Sequence, residues 1–317
     1  MKYKICATTA GKYLLNEIDN PLLKPLISNL MTERFSDSEM AVKFNESVRG
    51  NHIFLFAECS KSENIVELMF AINAAYLAAA SKVTIILPYF GYCRQDRQES
   101  QRGSLGAALI AKMITSRELA SIVDRIVTID LHAEQEQGFF NTPCEHIRGH
   151  AIFIEEVKKI LTPNTKFVSP DAGGVKRVEK YASRLDRPMA GINKRRNKPN
   201  EIASMELVGE VDGDDVIIID DIVDTFGTGK KAVQLLKEKG AKTVAMIATH
   251  GVLSGKAIQN LIESGLDTLI ISDTIPLTFD WKMYPGCPEI KIISSIPIIQ
   301  KVILNLIGNN SISELNN

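Results

Sequence analysis

Two adjacent carboxylates, Asp220 and Asp221, follow the apolar run Val216 to Ile219, and Asp224, Thr225, Phe226, Gly227, Thr228 and Gly229 come next, in DDVIIIDDIVDTFGTGK. An unbroken apolar run reads as a strand buried on both faces, and the polar residues mark where it leaves the core. Lys230 to Leu236 carries apolar residues at helical spacing, so the unit is strand, small-residue loop, helix. Such a loop can aim backbone N–H groups and hydroxyls at a phosphate, helped by the helix dipole, while glycines allow close approach. Carboxylates beside that cradle would repel a bare polyphosphate. They suit a ligand with hydroxyls to accept from, such as a ribose carrying one phosphate. Taken alone, the pair would merely end a strand and Asp224 or Thr225 would cap a helix, because short motifs are common. No GxxxxGK[ST] loop occurs, and no GxGxxG fingerprint follows a strand.

Other polar groups also fall just past apolar runs. His132 stands in DLHAEQEQGFF and Asp171 in SPDAGGVKR. Each alone reads as a structural residue, His132 hydrogen-bonded and Asp171 a helix cap. Together they could hold a cation, and a Mg²⁺ site would draw mostly on water and phosphate oxygens. The densest positive run is Lys194-Arg195-Arg196-Asn197-Lys198-Pro199-Asn200. It reads as a solvated loop, as a nucleic-acid patch though without stacked aromatics, or as a mobile loop closing over a transferring phosphoryl group to stabilise developing charge and exclude water. Arg94, Gln95, Asp96 and Arg97 could grip a polyphosphate, since guanidinium groups match phosphate oxygens in a bidentate fork. Phe35, Asp37 and Glu39, in FSDSE, offer a ring to stack on a base and acceptors for an amine.

Alternating strands and helices must position these groups. Apolar runs predict strands at Lys4 to Ala7, Met40 to Phe44, Ile53 to Ala57, Val83 to Leu87, Ile126 to Ile129, Lys166 to Ser169, Val216 to Ile219, Val244 to Thr249 and Leu269 to Ser272. Helical spacing falls between many of them, as at Asn64 to Ala80, Leu105 to Ile114 and Gly173 or Gly174 to Ser183. Repeated βα units imply mostly parallel sheets flanked by helices, with ligands at the carboxyl ends of the strands. The sheet is expected to restart near Ile147 to Ala151, after FFNTPCEH, giving domains at 1–146 and 147–317 with the last helix and tail packing on the first domain. The polar tail Gly308 to Asn317 is expected to fray.

The chain has 317 residues, 37 Lys and Arg against 38 Asp and Glu, a net charge of −1, and 45% hydrophobic residues. That is the make-up of a soluble globular protein with a substantial core and no basic footprint for nucleic acid. Five scattered cysteines without a CxxC pair argue for a reducing compartment. No apolar run nears the ~20 residues of a membrane span, and the amino terminus has no continuous apolar stretch, so the expected location is cytoplasmic.

The series FSDSE, ESVRG, PYFGYCRQDR, DLHAEQEQGFF, SPDAGGVKR, INKRRNKPN, IIIDDIVDTFGTG, THGVLSG and SISEL spans nearly the whole chain. In that order it resembles the ribose-phosphate diphosphokinases, in particular their phosphate-activated main class. The resemblance implies two tandem phosphoribosyltransferase-like α/β domains and transfer of the diphosphoryl group of ATP to the C1 hydroxyl of ribose 5-phosphate. Phe35, Asp37, Ser38, Glu39, Arg94, Gln95 and Arg97 would bind ATP, with Phe35 supplied by a neighbouring subunit. His132 and Asp171 would hold Mg²⁺. Asp220 and Asp221 would face the ribose hydroxyls, and Asp224, Thr225, Phe226, Gly227 and Thr228 would wrap the 5-phosphate. Lys194 and Arg196 would stabilise the transition state. A homohexamer is implied, with inorganic phosphate and ADP as effectors at a site including Ser47, Arg49, Ser311 and Ser313. Phe226 departs from the family pattern, which has a small residue there. Two other readings share part of this pattern: a phosphoribosyltransferase that consumes the product, and a non-catalytic associated subunit. The first leaves the basic run and the Arg94 cluster unused. The second sits poorly with the uninterrupted run Lys194 to Asn200.

Overall fold

The computed structural model describes residues 2–98, 100–116, 119, 121–198 and 201–316, and leaves out the side chains of 195–198 and 201–203. The chain divides into two compact units, Met1–Arg148 with Ile296–Asn317, and Gly149–Ser295.

The first unit contains β1 (Lys2–Ala7), α1 (Lys12–Asn16), β2 (Leu30–Arg34), β3 (Met40–Phe44), β4 (Asn51–Phe56), α2 (Ser62–Leu77), β5 (Lys82–Ile86), α3 (Gly106–Ile114), β6 (Val123–Ile129) and β7 (Cys144–Ile147). Among the described residues, β1, β4, β5, β6 and β7 form a parallel sheet in that spatial order. Every residue of β4 is buried, as expected of a central parallel strand covered on both faces. β2 and β3 form a separate antiparallel hairpin. Ile147 is the last residue of this sheet, and the next element is a helix from His150. The segment Ile147 to Ala151 therefore closes one sheet and does not open another.

Glu67 of α2, 3% exposed, is the hairpin's main polar anchor. It accepts from the Thr9 N–H and the Thr9 hydroxyl, each at 2.8 Å, and from the Thr32 hydroxyl on β2. Glu67→Ala would strand these donors and is expected to cost about 2 kcal/mol or more in urea unfolding, with Glu67→Gln keeping most of the stability.

His52 of β4 packs against the Tyr3 and Phe54 rings, which also contact each other, and bonds Thr84 Oγ1 at 2.8 Å. Burial lowers its pKa from 6.5 to about 4, against the opposing pull of Asp124. Between those values the unfolded chain binds a proton that the folded chain refuses. The stabilisation is therefore complete above about pH 6.5 and is lost as pH falls toward about 4. Urea midpoints at neutral and acid pH should differ less in His52→Phe than in the parent.

The second unit contains α4 (His150–Ile160), β8 (Thr165–Ser169), α5 (Val175–Leu185), β9 (Met189–Lys198), β10 (Glu201–Val208), β11 (Asp215–Val223), α6 (Gly227–Glu238), β12 (Thr243–Gly251), α7 (Ala257–Ile262), β13 (Thr268–Ser272) and β14 (Glu289–Ile293). The sheet order is β10-β9-β8-β11-β12-β13-β14, parallel except for the β9–β10 pair. β8 leads through α5 to β9 on one side, whereas β11 leads through α6 to β12 on the other. The connections thus diverge between β8 and β11, and such a switch point opens a crevice at the carboxyl ends of the two strands. One core layer packs Phe153, Val157, Val178 and Tyr181 under Ile217 and Ile219, and the opposite layer packs Ala232, Val233 and Leu236 on Val216 and Ile218.

The basic run expected as a loop is largely strand. β9 continues to Lys198 and pairs antiparallel with β10, with Lys194 opposite Met205. Backbone pairing with 201–208 makes this ribbon, which no apolar alternation announces. The closing helix α8 (Ile296–Ile307) belongs to the first unit. The tail beyond it is docked through residue 316: Ile312 is 7% exposed, and Asn316 Nδ2 donates to the His146 carbonyl at 2.9 Å while its Oδ1 accepts from Arg148 N–H at 2.8 Å. This replaces the expected fraying. Among the described residues no helix is long and apolar enough to cross a membrane.

Candidate active site

In the second unit the site residues gather at the crevice between β8 and β11. β11 runs past its apolar segment to Val223, so Asp220 and Asp221 lie within the strand rather than beyond it, still laddered to β12 through Asp220↔Ala248 and Ile222↔His250. Strand alternation buries Asp221 to 3% exposure and leaves Asp220 partly open. Arg177 of α5 reaches both: its Nη1 is 3.2 Å from Asp221 Oδ1 and 3.7 Å from Asp220 Oδ1. Burial and the neighbouring Asp221 push the Asp220 carboxyl well above the usual carboxylate range, against the pull of Arg177.

The turn from β11 into α6 is made by Phe226, in the left-handed region at φ 59°. Its ring, 4% exposed, faces inward. A Cβ at Gly229 would stand 2.3 Å from Phe226 Cε2, so the glycine makes room for the ring. The large side chain thus points into the core and leaves the ligand side of the loop to backbone. Gly227, Thr228 and Gly229 form the first turn of α6, whose N–H groups have no partner further back in the helix. Asp224 Oδ1 accepts from the Ser254 hydroxyl at 2.5 Å, and the Thr225 carbonyl accepts from Asn260 Nδ2 at 2.8 Å. These bonds hold the loop from the neighbouring β12–α7 segment.

Asp171 follows β8. Its Oδ1 accepts from Gly174 N–H at 3.1 Å and its Oδ2 pairs with Lys194 Nζ at 2.9 Å. Burial works to raise its pKa, but Lys194 and the Gly174 and Gly173 amides win and hold it below the usual value. Lys194, with a side chain 11% exposed, is therefore brought to the β8 crevice by the β9 strand. Arg196 lies on the same strand, its backbone paired with Ile202, and its side chain falls outside the described residues. An apolar-lined cavity of about 310 Å³ borders this corner, walled by Asp171, Val175, Met189, Gly191, Asn193 and Val208.

In the first unit, Phe35, Asp37, Ser38 and Glu39 form the tip of the β2–β3 hairpin. The Phe35 N–H donates to the Glu39 carbonyl at 2.9 Å, Ser38 turns the chain at φ 75°, and the Asp37 carboxylate accepts from Glu39 N–H at 3.0 Å. Phe35 is 56% exposed. A groove of about 520 Å³ runs between this hairpin and α2, lined by Arg34, Ser38, Glu39, Met40, Glu63 and Phe70. Arg94, Gln95 and Arg97 lie on or beside a short 3-10 turn, Cys93–Gln95, in the connection after β5, and are exposed. Exposed His132 follows β6, where His146 Nε2 accepts the adjacent Leu131 N–H at 3.0 Å. Ser47 and Arg49 lie in the β3–β4 turn, and Ser311 and Ser313 in the docked tail, where the Ser311 hydroxyl accepts from Ser313 N–H at 3.2 Å.

A family model described as the N-terminal domain of ribose phosphate pyrophosphokinase matches residues 3–117, and one described as a phosphoribosyl synthetase-associated domain matches residues 192–317. A ribose-phosphate pyrophosphokinase of Porphyromonas gingivalis is 39% identical over 316 residues, covering 99% of this chain and 97% of that protein. The chain belongs to the ribose-phosphate pyrophosphokinase family. As a ribose-phosphate pyrophosphokinase, also called a ribose-phosphate diphosphokinase, it is an enzyme, a transferase of the kinase type. A second relative so named, from Campylobacter jejuni, is 39% identical and covers 99% of this chain and 98% of its own length. The crystal structure of a phosphoribosylpyrophosphate synthetase from Mycobacterium smegmatis superposes with a TM-score of 0.85 at 32% identity, covering 98% of this chain and 100% of that one. The expected α/β fold, mostly parallel sheets flanked by helices, is thereby established.

Sequence reasoning overlooked Arg177. A single arginine inside a helix carries no signature, although its place six residues after Asp171 in SPDAGGVKR is a faint one.

Proposed function

We propose that this ribose-phosphate pyrophosphokinase transfers the β,γ-diphosphoryl group of ATP to the C1 hydroxyl of ribose 5-phosphate. The sugar oxygen forms a bond to the β-phosphorus as the bond from that phosphorus to the α,β-bridging oxygen breaks. The C1 hydroxyl proton is released, and 5-phospho-α-D-ribose 1-diphosphate and AMP leave. The observation that carries the proposal is the adjacency, on one strand–loop–helix, of a carboxylate pair and an open helix amino terminus. The first accepts from two ribose hydroxyls and the second receives the 5-phosphate. Asp224 to Thr228 wrap that phosphate through backbone and hydroxyl donors.

Lys194, carried on β9, supplies positive charge where the transferring group passes. Phosphoryl transfer depends on in-line positioning and neutralisation more than on a strong base. Arg196 shares that role. The hairpin tip Phe35 to Glu39 and the Arg94, Gln95 and Arg97 turn receive ATP, the ring for the base and the guanidinium groups for the phosphates.

Among the described residues no three His, Cys, Asp or Glu side chains cluster as a metal site. A single carboxylate such as Asp171 still suits Mg²⁺, which keeps several waters and takes phosphate oxygens. Asp171 and His132 would hold the ion, which when bound neutralises charge on the β- and γ-phosphates. A hexamer, activation by inorganic phosphate and inhibition by ADP at Ser47, Arg49, Ser311 and Ser313, and a cytoplasmic location complete the proposal. Purely ATP-competitive ADP inhibition that survives Arg49→Ala would remove the effector site from it.

The test is to incubate the chain with ATP and Mg²⁺, with and without ribose 5-phosphate, and separate AMP from ADP. AMP that depends on the sugar, without ADP, is expected. No AMP even with free phosphate and excess Mg²⁺ would mean a non-catalytic subunit.

A further inference from the structure

Arg177 has no place in the roles set out above, yet its guanidinium reaches both members of the carboxylate pair. It projects from α5, which buried Val178, Tyr181 and Ala182 pin to the sheet, so the guanidinium is delivered from a rigid element. Its side chain is 20% exposed, which limits solvent screening of the pair.

Other described charged or titratable groups near the pair are engaged elsewhere or are acidic themselves. Asp171, after β8, adds negative charge and spends its own attraction on Lys194. From β12, His250 stands opposite Ile222 and bonds the Thr274 hydroxyl at 2.9 Å. Just past β11, Asp224 adds a further carboxylate, which accepts from the Ser254 hydroxyl.

Two adjacent carboxylates in a half-buried crevice repel one another, and ionising both requires a cation close to both. We propose that Arg177 is a positioning residue of the sugar site: its guanidinium, 3.2 Å from Asp221 Oδ1 and 3.7 Å from Asp220 Oδ1, offsets the repulsion within the pair and turns it as two acceptors for the vicinal hydroxyls of a ribose phosphate. The proposal rests on the reading of this pair as the ribose-binding carboxylates. Arg177 would not touch the reacting atoms. It acts through the carboxylates, and protonation of either one converts an acceptor into a competing donor.

The experiment measures binding of ribose 5-phosphate and of 2-deoxyribose 5-phosphate by calorimetry as a function of pH, in the parent, Arg177→Met and Arg177→Lys. The parent should prefer the ribose compound and bind it more tightly as pH rises and the pair ionises. In Arg177→Met the pH at which binding is lost on the acid side should move up by about one unit or more, so that affinity falls about tenfold on that limb and recovers at higher pH. Arg177→Lys, which keeps the charge but not the fork, should return most of the pH profile. Thermal unfolding of each variant separates a folding defect, which would weaken binding equally at every pH. An unshifted profile, or a pH-independent loss in both variants, would overturn the role of Arg177 while leaving the sugar site standing. A parent that does not distinguish the two sugars would instead overturn the ribose reading of the pair.

Discussion

Lys194→Ala should lower turnover by on the order of 10² or more while leaving the Michaelis constants for ATP and ribose 5-phosphate within a few-fold of the parent. The expectation comes from where the ammonium sits. β9 carries Lys194 to the end of β8, its side chain is largely buried, and its partner in the free enzyme is the Asp171 carboxylate at 2.9 Å. A cation held in so dry a place interacts strongly with charge that develops beside it, because little water competes. The diphosphoryl group passing from one oxygen to another is such a charge. Loss of the ammonium also frees Asp171, so ground-state binding of cationic species there should not suffer. Lys194→Arg, with a broader and more weakly hydrated head, should recover part of the rate. Near-normal turnover in Lys194→Ala would show that the ammonium does not act on the transferring group.

Gly91→Ala should be the most damaging single methyl in the first unit. A Cβ at Gly91 would lie 2.0 Å from the Cys59 carbonyl oxygen and 2.7 Å from its carbon, both backbone atoms that cannot rotate aside. Gly91 N–H also donates to Cys59 Sγ at 2.9 Å, so the connection after β4 and the connection after β5 are in van der Waals contact there. Forcing them apart should cost about 3 kcal/mol, read as a lowered urea midpoint. Because Arg94 and Gln95 follow within one turn, ATP affinity should weaken as well, and ribose 5-phosphate affinity should not. Gly213→Ala is the contrasting case: that glycine has a positive φ of 74° but no atom within reach of a new Cβ. Its cost should be limited to backbone strain of about 1 kcal/mol.

Much of the architecture was legible because parallel strands buried on both faces leave unbroken apolar runs, such as Ile53 to Phe56 and Val216 to Ile219. The carboxylate pair and the phosphate loop were legible for a related reason: polar residues directly after such a run fall at the carboxyl end of a strand. The basic run was misread because its charged residues lack the alternation that marks a half-buried strand. What makes it a strand is pairing with 201–208, a tertiary fact. The extension of β11 through Asp220 and Asp221 was hidden likewise, since carboxylates in a strand look like its end. Phe226 shows another limit. That a large ring stands where the family has a small residue is visible in the sequence, but not that the ring turns inward over Gly229. Arg177 and Glu67 were invisible for a simpler reason: each acts by where the fold aims it, and neither is part of a motif.

The central claim, attack of the sugar hydroxyl at the β-phosphorus of ATP, is tested most directly by following ATP labelled with ³²P at the β position, with ribose 5-phosphate and Mg²⁺. The account predicts that the label moves to the sugar as an acid-labile diphosphate, in step with unlabelled AMP. Label that stays in the nucleotide as ADP, while only the γ-phosphate reaches the sugar, would contradict it.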